Sequence, residues 1–134
     1  MLLATKAKDP DPPLAWRLAD SLVRLAPTQD QSYQRLNGQM IVAAVLARAG
    51  QRDSARHLAG RSMGDAQVDA SRDLTLVGAY AYELAGDRDA AINALKIYFA
   101  ANPGQRAGFA EDAGWMFRDL SGDPRFRQLV GATK

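Results

Sequence analysis

Residues 85–91 read Ala-Gly-Asp-Arg-Asp-Ala-Ala, and residues 49–55 read Ala-Gly-Gln-Arg-Asp-Ser-Ala. In both stretches an alanine-rich apolar segment ends at Ala-Gly, a short polar turn follows, and a second apolar segment begins. Glycine suits the left-handed position just after a helix, because a β-carbon would be strained there. The two stretches therefore predict two copies of a helix, a tight turn and a second helix.

The residues that follow each glycine support this interpretation. Asp53 and Asp89 fall in the opening turn of the second helix, where a carboxylate meets free N–H groups and the positive end of the helix dipole. Ala55 and Ala91 are small enough to let the two helices of each pair lie close together. The sequence thus predicts two antiparallel helical hairpins, offset by 36 residues between positions 55 and 91.

The composition sets the class of protein. The chain has 134 residues, no cysteine and a formal net charge of +2. That length suits one domain with a sizeable core. The absence of cysteine excludes disulfides, cysteine-ligated zinc and thiol nucleophiles. Arginines spread along the chain at so low a net charge argue against binding to nucleic acid or to an anionic membrane.

The N-terminal part carries no recognisable targeting signal. No apolar run is long enough to span a membrane, and no signal peptide is evident, so we expect a cytoplasmic protein without membrane insertion. Residues 1–13 include three prolines and predict an extended leader, which is either a solvated tail or a linker from an upstream domain. The sequence leaves open whether the chain is a piece of a longer protein.

Helical periodicity runs through the rest of the chain. Alanine and leucine are abundant and strand-like alternation is absent, so we predict an all-α fold of about seven helices. In the first of them four leucines recur at helical spacing, and Pro27 ends the helix. The start of the fourth helix is open between Asp65 and Ser71. The predicted helices cover residues 14–26, 30–49, 52–62, 65–85 (or 71–85), 88–100 and 105–120, with a short last helix from residue 124.

Three bulky apolar residues, Trp115, Met116 and Phe117, follow one another in the sixth predicted helix. Successive helical residues point about 100° apart, so the three cannot share one face. We interpret them as core beneath the last segment of the chain, with an exposed hot spot or self-association patch as the alternative. Asp123 and Pro124 are of the types that cap and open a helix, and they predict the last short helix.

On these residues the chain resembles the tetratricopeptide-repeat (TPR) family, whose units of about 34 residues are helical hairpins. The resemblance implies a right-handed solenoid of αα-hairpin repeats over residues 14–134, with repeats at 30–64 and 65–103 and capping helices at 104–131. The second repeat is the fuller match. The residues that carry the resemblance are Gly78, Ala79, Tyr82, Gly86, Ala91, Leu95, Tyr98 and Pro103 in that repeat, and Ala43, Leu46, Gly50, Ala55 and Ala59 in the first.

The two ends of the predicted array differ from its middle. Residues 14–27 resemble the second half of a repeat whose first half is missing, because Ala15 and Ala19 repeat the pattern of Ala91 and Leu95. The Asp-Pro-Arg-Phe run at 123–126 resembles the closing segment of many bacterial tetratricopeptide regions. It implies a lid over the last repeat, since an open end would expose core.

The resemblance also implies where a partner would bind. In the family, the first helices of successive hairpins line a concave groove that holds an extended peptide or a partner helix. The residues here are mostly apolar or acidic, so we expect no clamp for a terminal carboxylate, and a groove that is either open or filled by one of the chain's own helices. The candidate groove residues are Asn37, Met40, Ile41, Ala44, Arg48, Asp73, Leu76, Val77, Tyr80 and Glu83.

The sequence offers little for catalysis. His57 has Asp53 and Ser54 beside it on one helical surface, but a catalytic triad brings its groups together from separate elements. Glu111 and Asp112 are adjacent on a helix and point apart, so they do not form an acid–base pair. We therefore expect no enzyme, no cofactor and no metal site. The predicted function is a scaffold or adaptor that binds an unidentified protein or peptide.

Three other functions stay open at this point. The chain could be a structural or regulatory region of a longer protein, or it could self-associate as a homodimer by burying its incomplete first repeat. It could also, as a lesser alternative, bind a small ligand.

Overall fold

The computed structural model describes residues 10–131, and this part of the chain is helical with no strand. It confirms the all-α class and the number of helices. Of the leader predicted over residues 1–13, residues 1–9 lie outside the described residues, and the first helix begins at Pro12, two residues earlier than predicted. The helices are α1 (Pro12–Leu25), α2 (Gln31–Arg48), α3 (Arg52–Arg61), α4 (Asp73–Leu84), α5 (Arg88–Ala101), α6 (Arg106–Glu111) and α7 (Pro124–Leu129), with 3-10 turns at Thr28–Asp30 and Pro103–Gln105.

Both predicted Ala-Gly turns are confirmed, and they share one hydrogen-bond pattern. The Gln51 N–H donates to the Leu46 carbonyl and the Asp87 N–H donates to the Tyr82 carbonyl, each at 2.9 Å. The glycine of each turn is left-handed, with φ of +86° and +80°. This is the Schellman geometry, which satisfies the last carbonyls of a helix. As a result α3 folds back on α2, and α5 folds back on α4.

Of the two predicted starts of the fourth helix, Asp65 was wrong and Ser71 was two residues early, because α4 begins at Asp73. The carboxylate of Asp69 is buried and accepts hydrogen bonds from the Leu74 N–H at 3.0 Å, the Thr75 N–H at 3.1 Å and the Thr75 hydroxyl at 3.0 Å. Arg72, just before the helix, has a left-handed φ of +65°. A side chain four residues upstream therefore caps α4, and residues 65–72 form turns instead of a helix.

The predicted helix over residues 105–120 was also wrong, because α6 ends at Glu111. Asp112 has extended backbone, and its carboxylate accepts a hydrogen bond from the Gly114 N–H at 2.9 Å. Gly114 itself is left-handed, with φ of +78°. An aspartate that bonds its own chain two residues on competes with the helix, and glycine offers the conformation that ends it.

Small residues let the helices approach closely at the centre of the fold. Helix α2 packs against α1, α3 and α4, and α5 packs against α4. A β-carbon placed on Gly38 of α2 would lie 2.8 Å from the β-carbon of Ala19 in α1. One placed on Gly78 of α4 would lie 2.7 Å from the terminal methyl of Met63. Stacking of the two hairpins as a solenoid stays a prediction.

The C-terminal segment covers one side of α5. Phe117, Leu120 and Phe126 are buried in the common core, and the rings of Phe109 and Phe99 lie edge to face with centroids 5.2 Å apart. The predicted cap of α7 is confirmed, because Asp123 accepts a hydrogen bond from the Arg125 N–H at 2.8 Å. The guanidinium of Arg125 pairs with Asp123 and with Asp89, which ties α7 to the start of α5. The Arg125–Asp89 pair is exposed and adds little stability.

Candidate partner-binding surface

Four of the ten candidate groove residues are buried. Met40, Ile41 and Ala44 of α2, and Tyr80 of α4, belong to the core that the helices share. They offer no surface to a partner in this arrangement. Of the rest, Leu76 and Val77 are half-buried against that core, Asn37, Arg48 and Glu83 are half-buried, and Asp73 is exposed.

The chain itself contacts the centre of the predicted groove. The rings of Tyr80 and Trp115 pack edge to face, with centroids 5.1 Å apart and planes at 81°. Trp115 comes from a turn segment and not from a helix, and whether the groove is open or self-filled stays a prediction. In this turn segment Phe117 is buried, Met116 is half-buried and Trp115 is partly exposed.

The charged candidate groove residues are Asp73, Glu83 and Arg48. Burial and the nearby Asp119 raise the pKa of Glu83 above its ordinary value. Burial, followed by the charge of Asp73, raises the pKa values of Tyr33 and Tyr98.

The groups considered for catalysis lie on the surface. His57 is exposed, and the carboxylate of Asp53 forms an ion pair with Arg56 instead of orienting the histidine. Glu111 and Asp112 are also exposed, and Asp112 holds its own turn. Within residues 10–131, no group of three or more histidine, aspartate and glutamate side chains is placed to hold a metal ion.

Most of the large apolar side chains that are exposed among the described residues lie on α1, and sequence reasoning missed them. Four side chains of this helix are open to solvent: Leu14 is 40% exposed, Trp16 39%, Leu18 38% and Leu25 85%. The buried positions of α1 are Ala15 and Ala19, and Ala19 lies against Gly38 of α2. Helical spacing identified the helix, but the small residues, and not the leucines, decide which face turns inward. The small residues Ala19 in α1 and Gly38 in α2 were the feature of the sequence that could have indicated this inward face.

Helix α5 shows what α1 lacks. The repeat pattern aligns position 15 with position 91, so Trp16 and Leu18 correspond to Ile92 and Ala94. Those two α5 residues are 2% and 3% exposed, against 39% and 38% for their α1 counterparts. Helix α5 is covered by α4 and by the C-terminal segment. The described residues of α1 pack mainly on α2, which leaves equivalent positions uncovered.

A groove of about 730 Å³ lies between α1 and α2. Trp16 and Val23 contribute apolar lining, and arginine side chains from both helices line it as well. Its lining includes none of the ten candidate groove residues. The charged lining residues are Arg17, Asp20, Arg24 and Arg35.

Comparisons of the chain with protein-family models, with curated proteins and with solved structures find no match. The tetratricopeptide resemblance therefore rests on the repeat pattern alone. Among the described helices, none combines the length and the apolar character that crossing a membrane requires. The surface of α1 is the feature of this chain that best supports a functional interpretation.

Proposed function

We propose that this chain is a non-enzymatic protein–protein interaction domain that binds a peptide or partner helix through α1. The observation that carries the proposal is the exposure of Leu14, Leu18 and Leu25 along one side of α1. Exposed apolar area costs about 25 cal/mol per Å² relative to burial, and contiguous apolar patches on soluble proteins mark binding sites.

The spacing of the leucines favours a helical partner. Leu14, Leu18 and Leu25 lie four and seven residues apart, so their side chains form one stripe along α1. A stripe of this kind suits another helix that lays its apolar face along it. Within the chain, α4 packs along α5, whose repeat pattern α1 matches, and this supports the same mode of packing at α1.

Capture of a partner from the source organism tests the proposal. The full chain serves as bait beside the double variant Leu18→Ser with Leu25→Ser, and bound proteins are quantified by mass spectrometry. The matched control is Ile97→Ser, which removes a side chain that is 49% exposed on α5. We expect a partner that the wild type and the control capture equally and the double variant loses. Equal capture by all three would exclude α1 as the binding surface.

A second copy of the chain is the alternative occupant of the leucine stripe. Light scattering over a range of concentrations distinguishes this homodimer from a complex with another protein. A dimer that the double variant abolishes would favour self-association. A panel of metabolites and metal ions in a thermal-shift assay addresses the ligand-binding alternative, and stabilisation by any of them would contradict the proposal.

A further inference from the structure

We infer that the groove between α1 and α2 binds an acidic segment of a protein partner, whose carboxylates meet Arg17, Arg24 and Arg35. The inference rests on the proposed function and specifies the chemistry of the partner. The apolar part of that segment lies over Trp16 and Val23, and its acidic part lies along the arginines.

The charges that line the groove are unbalanced. Three arginines face the space, and Asp20 is the single carboxylate among the lining residues. No carboxylate within residues 10–131 forms an ion pair with any of the three arginines. Arg24 donates a hydrogen bond to the Ser21 hydroxyl at 3.1 Å, which holds its guanidinium beside the groove. Guanidinium groups prefer carboxylates, which they bind through two parallel hydrogen bonds.

The size and lining of the groove suit a short peptide segment. A space of about 730 Å³ accommodates several side chains, and small-ligand and peptide sites are commonly this large. Trp16 is 39% exposed and presents a broad apolar surface at the groove. Tryptophan and arginine are the residue types most often found at the energetic centre of protein interfaces.

Charge also argues against the other occupants. A second copy would bring the arginines of its own α1 against the same cationic surface, so a homodimer through this groove is disfavoured. The chain as a whole has a formal charge of only +2. Binding to a nucleic-acid backbone requires an extended basic surface, which so low a net charge disfavours. An acidic peptide with apolar residues satisfies both parts of the lining.

Isothermal titration calorimetry on the full wild-type chain tests the inference with three defined peptides. The first is a twelve-residue peptide of repeated Glu-Glu-Leu-Leu, the second replaces every glutamate by lysine, and the third replaces every leucine by serine. We expect the first to bind at least about tenfold more tightly than the other two, with affinity that falls as salt rises.

Two variants locate the binding. Arg17→Gln with Arg24→Gln weakens the first peptide about three- to tenfold, as the loss of two partly exposed ion pairs requires. Arg61→Gln with Arg118→Gln removes the same charge from exposed positions elsewhere, and leaves the affinity within about twofold. Circular dichroism melts confirm that both variants fold.

Several results would overturn the inference. One is equal affinity for the glutamate and lysine peptides. Another is an affinity for the first peptide that Arg17→Gln with Arg24→Gln leaves unchanged. A third is no binding up to about 2 mM peptide. Tighter binding of a twelve-nucleotide RNA with the same arginine dependence would assign the groove to nucleic acid instead. The capture assay on the leucine stripe is independent of these titrations, so the proposed function can stand when this inference fails.

Discussion

The start of α4 depends on the carboxylate of Asp69, and replacing this residue tests that dependence directly. It accepts three hydrogen bonds, from two backbone N–H groups at the beginning of the helix and from the buried hydroxyl of Thr75. Asp69→Ala removes all three acceptors at once. The N–H groups lose a helix cap, and the hydroxyl is left without an acceptor in the protein interior.

The expected cost follows from these two losses. Removal of an N-terminal cap costs about 1–2 kcal/mol, and an unsatisfied buried polar group costs about 1–3 kcal/mol. A water molecule that enters the vacated space recovers part of this, so we expect Asp69→Ala to lower the free energy of unfolding by about 2–4 kcal/mol. At about 4 °C per kcal/mol, the melting temperature falls by about 8–16 °C. Asp69→Asn keeps one acceptor oxygen, so we expect its free energy of unfolding to lie between those of the wild type and Asp69→Ala.

Urea unfolding followed by circular dichroism measures the effect, with the midpoint lowered and the m-value unchanged. Asp65→Ala is the matched control. Asp65 is exposed, and its carboxylate accepts hydrogen bonds from the Gln67 N–H at 2.9 Å and the Val68 N–H at 3.1 Å in the same connection. We expect this control to lose less than about 1 kcal/mol. A similar small loss in both variants would refute the assignment of Asp69 as the cap of α4.

Two other predictions concern helix contact and pH. Gly38→Ala places a β-carbon 3.1 Å from the Ala19 α-carbon, which is backbone and cannot yield, so we expect a loss of about 1–3 kcal/mol in a thermal melt despite the better helix propensity of alanine. Gly78→Ala meets only flexible methionine ends and costs less; equal losses would contradict the close α1–α2 contact. The side-chain hydrogen bond from Arg125 lowers the pKa of Asp123 in the folded protein. The ionised carboxylate of Asp123 therefore stabilises the fold at pH values above its unfolded pKa of about 3.9, and this stabilisation is lost as the pH falls through the lower folded pKa. Asp123→Asn should therefore show a shallower loss of stability than wild type below about pH 4, measured by urea unfolding across pH, and parallel curves would count against that hydrogen bond.

The parts of the fold that the sequence predicted are those decided by adjacent residues. Gly50 and Gly86 predict the turns because the left-handed position lies directly after each helix. Asp123 and Pro124 predict the start of α7 because they lie at its cap and first helical position. The start of α4 was left open between Asp65 and Ser71 because its cap, Asp69, reaches it from four residues away across a turn.

The candidate site was harder to predict because exposure depends on which helices are neighbours. Met40 and Tyr80 carry the pattern of a groove, yet contact between α2 and α4 and the ring of Trp115 places them in the core. Leu18 and Leu25 have the spacing of a buried face, yet α1 turns its alanines inward. Periodicity identifies faces of helices, whereas tertiary packing decides which of these faces stay available to a partner.

Hydrogen–deuterium exchange on the full chain, with and without the captured partner, tests most directly whether α1 is the binding surface. The account predicts that the partner slows exchange of backbone amides in Pro12–Leu25, and that amides in Asp73–Leu84 change little, since that helix is already packed within the fold. Protection confined to Asp73–Leu84, with α1 exchanging as in the free chain, would contradict it.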